Sequence, residues 1–181
     1  MTKNPDRAVL LDPDAGRHLW TMGMLMTVKA SADETGDACS AMEVTFPPNV
    51  GPPMHIHRRE AELNYVLRGA MKFRCGDDEL DCEAGGFVFL PKDMPHAFKS
   101  GPDGATMLAI ALPGGIEGLY EKVGEVASEP VLPRAPPDIP GWLEHALPLA
   151  LKSQGRLWAN CCWAFSTHPG LPDNEASWPI W

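Results

Sequence analysis

Two histidines and two glutamates lie close together in the stretch MHIHRREAELNYVLRG, which covers residues 54–69. His55 and His57 are separated by one residue, and residues i and i+2 of a β-strand project from the same face. Two imidazoles on one face can hold a divalent metal ion between them. The alternative is a pair of surface histidines on a charged loop beside Arg58 and Arg59, because short motifs often match without any function.

A carboxylate and a third histidine could complete such a site. Glu60 and Glu62 both have the parity of His57 along the chain, so alternation alone does not choose between them. His96 comes later, in the stretch LPKDMPHAF, after a proline turn. Three imidazoles and one carboxylate suit one divalent transition metal ion, with Fe, Mn, Co, Ni, Cu and Zn all acceptable, and they leave coordination positions for water or a substrate.

The segments that must position these side chains are short. The chain has 181 residues, and its 19 prolines and 17 glycines separate short runs of alternating polarity. This pattern is typical of β-strands and predicts about eight or nine short antiparallel strands over roughly residues 20–113, arranged as a barrel or a double-sheet roll. Gly76, Asp77 and Asp78 are predicted to form the turn of a tight hairpin.

The pattern becomes helical after Pro113. In the stretch GGIEGLYEKVGEVA, a short helix is predicted because apolar residues recur at helical spacing, namely Ile116, Leu119, Tyr120 and Val123. The next stretch, SEPVLPRAPPDIPG, is rich in proline and incompatible with regular structure.

The spacing of the histidines and glutamates resembles the first motif of the cupin superfamily. That motif has His-x-His, three or four residues, Glu, six residues and Gly. In this chain, His57 is followed by RREA, then Glu62, then LNYVLR, then Gly69. The glycine that opens the family motif usually stands six positions before the first histidine, whereas Gly51 stands four positions before His55.

The second cupin motif is matched as well. It has Gly, five residues, Pro, one residue, Gly, two residues, His, three residues and Asn, and here it runs from Gly85 through Pro91 to His96. Asp93 stands where the family often has glycine, and Ser100 stands where it often has asparagine. Neither departure affects a ligand that the resemblance implies.

The resemblance covers roughly residues 35–113 and implies a fold and a metal site. The implied fold is the all-β cupin double-stranded β-helix, a jelly-roll barrel, here with a C-terminal helix and loop extension. The implied ligands are His55, His57, Glu62 and His96, and Glu62 is preferred to Glu60 because it lies at the family's distance from Gly69. The stretch ALPGGIEGLYEKVGE is similar to the segment after the barrel in small bacterial cupins, some of which are quercetinase-like dioxygenases.

We expect three regions along the chain. Residues 1–34 are predicted to be an arm and strands that join the barrel, residues 35–113 the barrel core, and residues 114–181 a helix, a proline-rich segment and a tryptophan-rich tail. The tail holds too many large apolar side chains for a free loop, and we predict that they pack on the barrel or across a homodimer: Trp158, Trp163, Phe165, Trp178 and Trp181.

Strand alternation also suggests which residues line the pocket. If Glu62 faces inward on its strand, Asn64 and Val66 face inward too. Asn64 could then form hydrogen bonds with a substrate or satisfy a neighbouring backbone group, and both interpretations stay open. The same alternation places three further sets of side chains on shared faces: Met71, Phe73 and Cys75; Phe98 with His96; and a stripe of Met22, Met24 and Met26 that is typical of core packing or a subunit interface.

Composition excludes several classes of partner. The net charge of −9 argues against a nucleic acid partner, because no basic stripe is available to neutralise phosphates. No apolar run approaches the ~20 residues that span a bilayer, and the first residues lack the apolar core of a signal peptide, so a cytoplasmic protein is expected. The five cysteines form no CxxC pair and are interpreted as idle thiols: Cys39, Cys75, Cys82, Cys161 and Cys162.

Three functions are compatible with these features. The first is a metal-dependent oxygenase acting on a small aromatic, flavonol-like or polyketide-like compound, with dioxygen as the second substrate and with Glu62 and Asn64 as catalytic residues. The second is an isomerase, cyclase or lyase that uses the metal only as a Lewis acid. The third is a non-enzymatic protein that binds a small molecule, because one barrel shape hosts many functions.

Overall fold

The computed structural model describes residues 8–134 and residues 161–162. Antiparallel strands dominate this part of the chain, and the all-β jelly-roll class predicted from the sequence is confirmed. The elements, numbered in chain order, are β1 (Arg17–Thr21), β2 (Met24–Ala30), α1 (Ala32–Thr35), β3 (Ser40–Phe46), β4 (Ile56–His57), β5 (Ala61–Cys75), β6 (Asp78–Glu83), β7 (Phe87–Leu90), β8 (His96–Leu112), α2 (Glu117–Val123), β9 (Glu125–Val126) and β10 (Cys161–Cys162).

Strands β5 and β8 are longer than the sequence predicted. Instead of the short runs that glycines separate, residues 61–75 form the single 15-residue β5 and residues 96–112 form the single 17-residue β8. The pairing of these strands shifts register between Val66 and Arg68 and again between Gly69 and Met71. Gly69 has a φ of 73°, and a side chain there would lie 2.3 Å from the carbonyl oxygen of Gly104, so only glycine fits this bend.

The bend gives the two halves of β5 different neighbours. Residues 62–65 pair with β7 on one side and with the second half of β8 on the other, whereas residues 71–75 lie between β6 and the first half of β8. From the second half of β8 the sheet continues through β3, β2 and β1 to β9. The first half of β8 instead begins beside residue 55, through a bridge between His55 and His96. This arrangement brings the two cupin-like motifs together at one end of the roll.

Alternation decides which side chains enter the interior. In β3 every second residue is buried and the residues between are half-buried, and the buried set is Ser40, Met42, Val44 and Phe46. Met71 and Phe73 of β5 lie in the same hydrophobic core, with Cys75 packed against it, as the sequence predicted. The hairpin predicted between β5 and β6 is present too, because Cys75 pairs with Asp78 across Gly76 and Asp77.

The methionine stripe belongs to the core. The stripe does not lie on one strand: β1 ends at Thr21 and β2 begins at Met24, and the hairpin between them turns at Met22 and Gly23, with φ values of 49° and 74°. Met22, Met24 and Met26 are all buried in the hydrophobic core. Core packing, one of the two interpretations of the stripe, is therefore confirmed.

Both short helices have a local cause in the sequence. The predicted helix after Pro113 is α2, whose neighbourhood buries the expected Ile116, Leu119 and Tyr120. The sequence interpretation missed α1, although Ser31 and Glu34 form a capping box, with the Glu34 carboxylate accepting a hydrogen bond from the Ser31 backbone N–H at 2.8 Å.

A buried carboxylate connects α2 to the sheet. Glu117 is only 4% exposed, and its Oε1 accepts a hydrogen bond from the Ala32 backbone N–H at 2.7 Å. Its Oε2 accepts hydrogen bonds from the Gly115 backbone N–H at 3.0 Å and from the Ser40 hydroxyl. We call these residues the Glu117 cluster: Ala32, Ser40, Gly115 and Glu117. Both carboxylate oxygens are satisfied, so the cluster fastens α1, β3 and α2 to one another.

The predicted division into residues 1–34, 35–113 and 114–181 stays a prediction. β1 and β2 continue the same sheet as β3, and β9 extends that sheet beyond β1. The aromatic residues of the predicted tail lie outside the described residues. Neither helix of the described ranges has the length and apolar character that crossing a bilayer requires.

Candidate metal centre

Backbone pairing places two of the predicted ligands opposite each other. The His55 N–H donates to the His96 carbonyl at 2.9 Å, and the His96 N–H donates to the His55 carbonyl at 2.8 Å. His57 is the second residue of β4, and Glu62 is the second residue of β5, after a short turn. β4, the start of β5 and the bridge between His55 and His96 therefore bring together side chains that are distant in the sequence.

The four predicted ligands form one buried cluster. One nitrogen or oxygen atom from each of His55, His57, Glu62 and His96 lies within 4.8 Å of the corresponding atom of every other member. The Nε2 atoms of His55 and His57 are 3.1 Å apart, and His57 Nε2 lies 2.8 Å from Glu62 Oε1. Ligand atoms bound about 2.1 Å from one metal ion at right angles would be separated by about 3.0 Å, so these spacings fit a shared ion.

Backbone carbonyls orient two of the imidazoles. His55 Nδ1 donates to the Pro53 carbonyl at 2.8 Å, and His96 Nδ1 donates to the Met94 carbonyl at 2.9 Å. A carbonyl can only accept, so the proton of each neutral ring lies on Nδ1 and the lone pair of Nε2 is directed into the cluster. Histidine metal ligands are commonly held in this way by a hydrogen bond from the other ring nitrogen.

Burial keeps two of the histidines neutral. Desolvation lowers the pKa of His55 well below its ordinary value of 6.5, and repulsion from His96 and His57 lowers it further. Desolvation also lowers the pKa of His96. At neutral pH both rings therefore carry the lone pairs that a metal ion requires.

Glu62 is the anionic member of the cluster. Burial by itself raises the pKa of its carboxyl, but the adjacent His57, through its charge and a hydrogen bond, together with His96 and His55, lowers the pKa far below the ordinary value. The carboxylate form is therefore stabilised inside the protein. This charge state suits a ligand for a divalent cation.

Unsatisfied polar atoms mark the same place. Glu62 Oε2 and His96 Nε2 are buried without a hydrogen-bond partner among the described residues. Buried polar atoms are nearly always paired, because leaving one unpaired costs about 1–3 kcal/mol. A metal ion among these atoms would satisfy both of them. The charge, the spacing and the unsatisfied atoms of these residues fit the divalent ion that the sequence predicted, so the cluster is able to bind a metal. The identity of the metal and the role of each ligand stay predictions.

Glu60, the competing carboxylate, lies outside the cluster. The sequence predicts it in the turn, in contact with solvent or with Arg58 or Arg59. The structure pairs it with Arg59 at 3.1 Å, one of the expected contacts, and buries it with 4% exposure. Arg59 Nη1 also donates to the Gly114 carbonyl at 2.6 Å. Glu60 thus has a local structural partner, whereas Glu62 faces the histidines.

Asn64 lies one inward position beyond Glu62 on β5. Its side chain is completely buried, and neither the amide nitrogen nor the amide oxygen has a hydrogen-bond partner among the described residues. Its partners across the strands are Val88 and Ala109, neither of which offers a polar side chain. The inward orientation predicted for Asn64 and Val66 is present, and the described residues provide no hydrogen-bond partner for the amide.

Aromatic rings border the histidines on the other side. The ring of Phe98 lies 6.3 Å from His55 and 5.4 Å from Phe73, measured between centroids. The sequence placed Phe98 and His96 on one face, and it placed Phe73 inward. It did not identify the carbonyls of Pro53 and Met94, because a backbone acceptor has no signature in residue type. Cys39, Cys75 and Cys82 are free thiols, and none belongs to the cluster in the described chain.

Part of the chain is similar to known proteins. Residues 42–111 match the family model described as Cupin_2, the cupin domain. Quercetin 2,3-dioxygenase of Bacillus subtilis (strain 168) is 23% identical over 138 residues, which are 75% of this chain and 41% of that protein. The chain therefore spans less than half the length of this curated relative.

Solved structures agree on the fold. A predicted oxalate decarboxylase from Thermotoga maritima has a TM-score of 0.53 and 17% identity, with 59% of this chain and 99% of that chain covered. KdgF from Halomonas sp. has a TM-score of 0.51 and 15% identity, with 59% of this chain and 94% of that chain covered. These structures support a cupin β-barrel fold, and the domain match over residues 42–111 agrees with it.

Proposed function

We propose that this protein is a metal-dependent enzyme that acts on a small organic compound, and that it is an oxygenase of the quercetinase-like kind. The observation that supports this most is the buried cluster of three imidazoles and one carboxylate, in which carbonyl contacts direct the lone pairs of His55 and His96 inward. The sequence similarity to a quercetin 2,3-dioxygenase supports the choice of reaction.

The chain would hold the metal ion with His55, His57, Glu62 and His96. When bound, one divalent Fe, Mn, Ni, Co, Cu or Zn ion would supply Lewis acidity and, for the redox-active metals, electron transfer. Glu62 would balance part of the charge of the ion. The strongly lowered pKa of Glu62 favours its role as a ligand. We also propose that its Oε2 accepts a proton from a substrate hydroxyl, and the Glu62→Gln variant tests this second role.

Asn64 would orient the substrate. Its amide presents both a donor and an acceptor in an interior with no competing partner among the described residues, two residues or roughly 6.6 Å along the strand from Glu62. A hydroxylated or enolisable compound bound beside Glu62 could satisfy both atoms. The substrates that we propose are therefore aromatic, flavonol-like or polyketide-like compounds with more than one oxygen. Val88 and Ala109, beside Asn64, would contact the apolar part of such a compound.

Two alternatives share the same site. An isomerase, cyclase or lyase would use the metal only as a Lewis acid and would consume no dioxygen. A binding protein would retain a ligand without converting it. We also expect a homodimer located in the cytoplasm, which cell fractionation and mass measurement can check.

The decisive experiment separates metal binding from chemistry. Protein purified without a histidine tag is first analysed for metal and is then screened in an oxygen electrode with flavonols, quinones and diketones. Glu62→Gln should reduce turnover strongly, whereas Glu60→Gln, which changes the neighbouring buried carboxylate, should retain it. Metal-replete protein that alters compounds without oxygen uptake would favour the isomerase or lyase class. Tight binding without any conversion would favour the binding protein.

A further inference from the structure

Two small residues lie on the inner face of the sheet, next to Glu62 and Asn64. On β8, every second residue from position 105 to position 111 is buried, and this inward set includes Ala109 and Ala111. In the ladder between β5 and β8, Ala111 is the partner of Glu62 and Ala109 is the partner of Asn64. We call Ala109 and Ala111 the alanine floor. Their one-carbon side chains reach less far into the interior than the side chains around them.

Longer side chains border the alanine floor on its far side and at one end. On β3, the partners of Ala111 and Ala109 are Ser40 and Met42. Met107, the next inward residue on β8, closes one end and is only 1% exposed. Because neighbouring strands lie about 4.8 Å apart, the wall on β5 and the wall on β3 are separated by roughly 10 Å. The floor and its walls therefore outline a slot that leaves room for a flat ring.

The two walls of the slot differ in their hydrogen bonding. On β5, Glu62 Oε2 and both amide atoms of Asn64 are buried without a hydrogen-bond partner among the described residues. On β3, the Ser40 hydroxyl already donates to the Glu117 carboxylate and accepts from the Gly115 N–H at 2.7 Å. Buried polar atoms are nearly always paired, so the wall on β5 indicates a polar ligand and the wall on β3 does not.

We propose that the alanine floor binds a flat aromatic compound whose hydroxyl or carbonyl oxygens all lie at one end. The oxygens face Glu62 and Asn64, and the apolar end covers the floor and contacts Met42, whose thioether is only a weak acceptor. An oxygen at the opposite end would be buried without a partner and would weaken binding. This inference rests on the proposed function, because it places the substrate beside the metal cluster, and it makes Ala109 and Ala111 residues that determine specificity.

The first test uses two isomers and the unaltered full-length protein, loaded with zinc because zinc has no redox chemistry. In 1,3-dihydroxynaphthalene both hydroxyls are on one ring, whereas in 2,6-dihydroxynaphthalene they are at opposite ends. Neither isomer can bind one ion through both hydroxyls, so chelation does not favour either of them. Calorimetric titration should give a dissociation constant at least tenfold lower for the first isomer. Equal affinity, or no binding of either isomer, would overturn the inference.

The second test fills the alanine floor. Ala109→Leu should raise the dissociation constant of 1,3-dihydroxynaphthalene at least tenfold and leave the zinc content and the melting temperature unchanged, because the slot has room for the larger side chain. Ala97→Leu makes the same change on β8 at an outward position, next to Arg74, and should leave the affinity unchanged. Unchanged affinity in Ala109→Leu would overturn the inference. A large fall in its melting temperature would do so too, because overpacking would mean that other core side chains already cover the alanines.

The results also distinguish this inference from the proposed function. If both tests succeed and no flavonol, quinone or diketone is converted, the alanine floor binds this class of compound and the oxygenase proposal fails. If such compounds are converted with oxygen uptake and Ala109→Leu leaves their KM unchanged, the oxygenase proposal holds and the alanine floor is not the substrate site.

Discussion

Two buried glutamates in this protein differ in how well their surroundings satisfy them. Glu117 receives hydrogen bonds from Ala32, Ser40 and Gly115, and both of its oxygens are satisfied. Glu62 contacts only His57 through Oε1, and its Oε2 has no partner among the described residues. Burial alone therefore does not distinguish a structural carboxylate from a proposed metal ligand. The two glutamates differ instead in the number of hydrogen bonds that the described residues supply to them.

The largest expected effect is loss of the metal from the His55, His57, Glu62 and His96 cluster. Replacing His96 with Ala removes one of the inward lone pairs, and we expect metal content to fall at least tenfold from about one ion per chain. Elemental analysis of tag-free protein measures this. His18→Ala is the matched control, because His18 contacts Thr27 outside the cluster and its removal should leave metal content unchanged. Full occupancy in the His96 variant would refute the four-ligand assignment.

Next in size is the loss of the Glu117 cluster. Glu117→Ala removes the acceptor of the buried Ala32 N–H and of the Ser40 hydroxyl, whereas the Gly115 N–H keeps Ser40 Oγ at 2.7 Å. The free energy of unfolding should fall by about 3 kcal/mol. Denaturant titration gives the value. Glu121→Ala on the same helix removes only an exposed ion pair with Arg17 and should cost less than about 1 kcal/mol. Equal losses in the two variants would show that the cluster has no special structural role.

Acid should weaken the cluster at the metal site. The folded-state pKa values of His55 and His96 lie below the ordinary 6.5, so below that pH the unfolded chain binds more protons than the folded chain. Stability of the metal-free protein should therefore fall as the pH drops from 6.5 toward the lowered values, by up to about 1.4 kcal/mol per pH unit for each group. The His55→Ala variant should show a flatter profile over this range, and an unchanged profile would contradict the assignment.

The smallest expected effect is a gain. Asn64→Leu replaces a buried amide that has no partner among the described residues with an apolar side chain of similar size. The free energy of unfolding of the ligand-free protein should rise by about 1 kcal/mol. If Asn64 orients a substrate, the same variant should bind and convert that substrate less well. Lower stability in the variant would mean that the amide has a structural partner, such as a buried water molecule.

The sequence predicted the residues of the metal cluster but not those of the Glu117 cluster. The spacing of His55, His57, Glu62 and His96 predicted the side chains that the structure clusters, because strand alternation and two spaced motifs constrain them. The Glu117 cluster was not predicted, since its hydrogen-bond donors include the backbone N–H groups of Ala32 and Gly115. Residue type does not reveal which backbone N–H will donate to a side chain. Ala32 and Gly115 lie 85 and 2 residues away from Glu117 along the chain.

The predicted lengths of β5 and β8 were too short for a related reason. Glycine and proline were interpreted as strand ends, yet Gly69 bends β5 without ending it, because the register of the β5–β8 ladder shifts there and pairing resumes at Met71. A local pattern shows where a residue permits a bend, and only tertiary pairing decides whether hydrogen bonding continues past it.

The bridge between His55 and His96 also has a consequence for the order of events during folding. Forty residues separate these two histidines, and their mutual backbone hydrogen bonds form only when the intervening β5, β6 and β7 have been assembled. Such long-range contacts form late, since loop closure must come first. Metal binding should therefore come after the rate-limiting step of folding. Added metal should slow unfolding several-fold and leave the refolding rate unchanged, because the ion would stabilise the folded barrel and not the transition state for its folding.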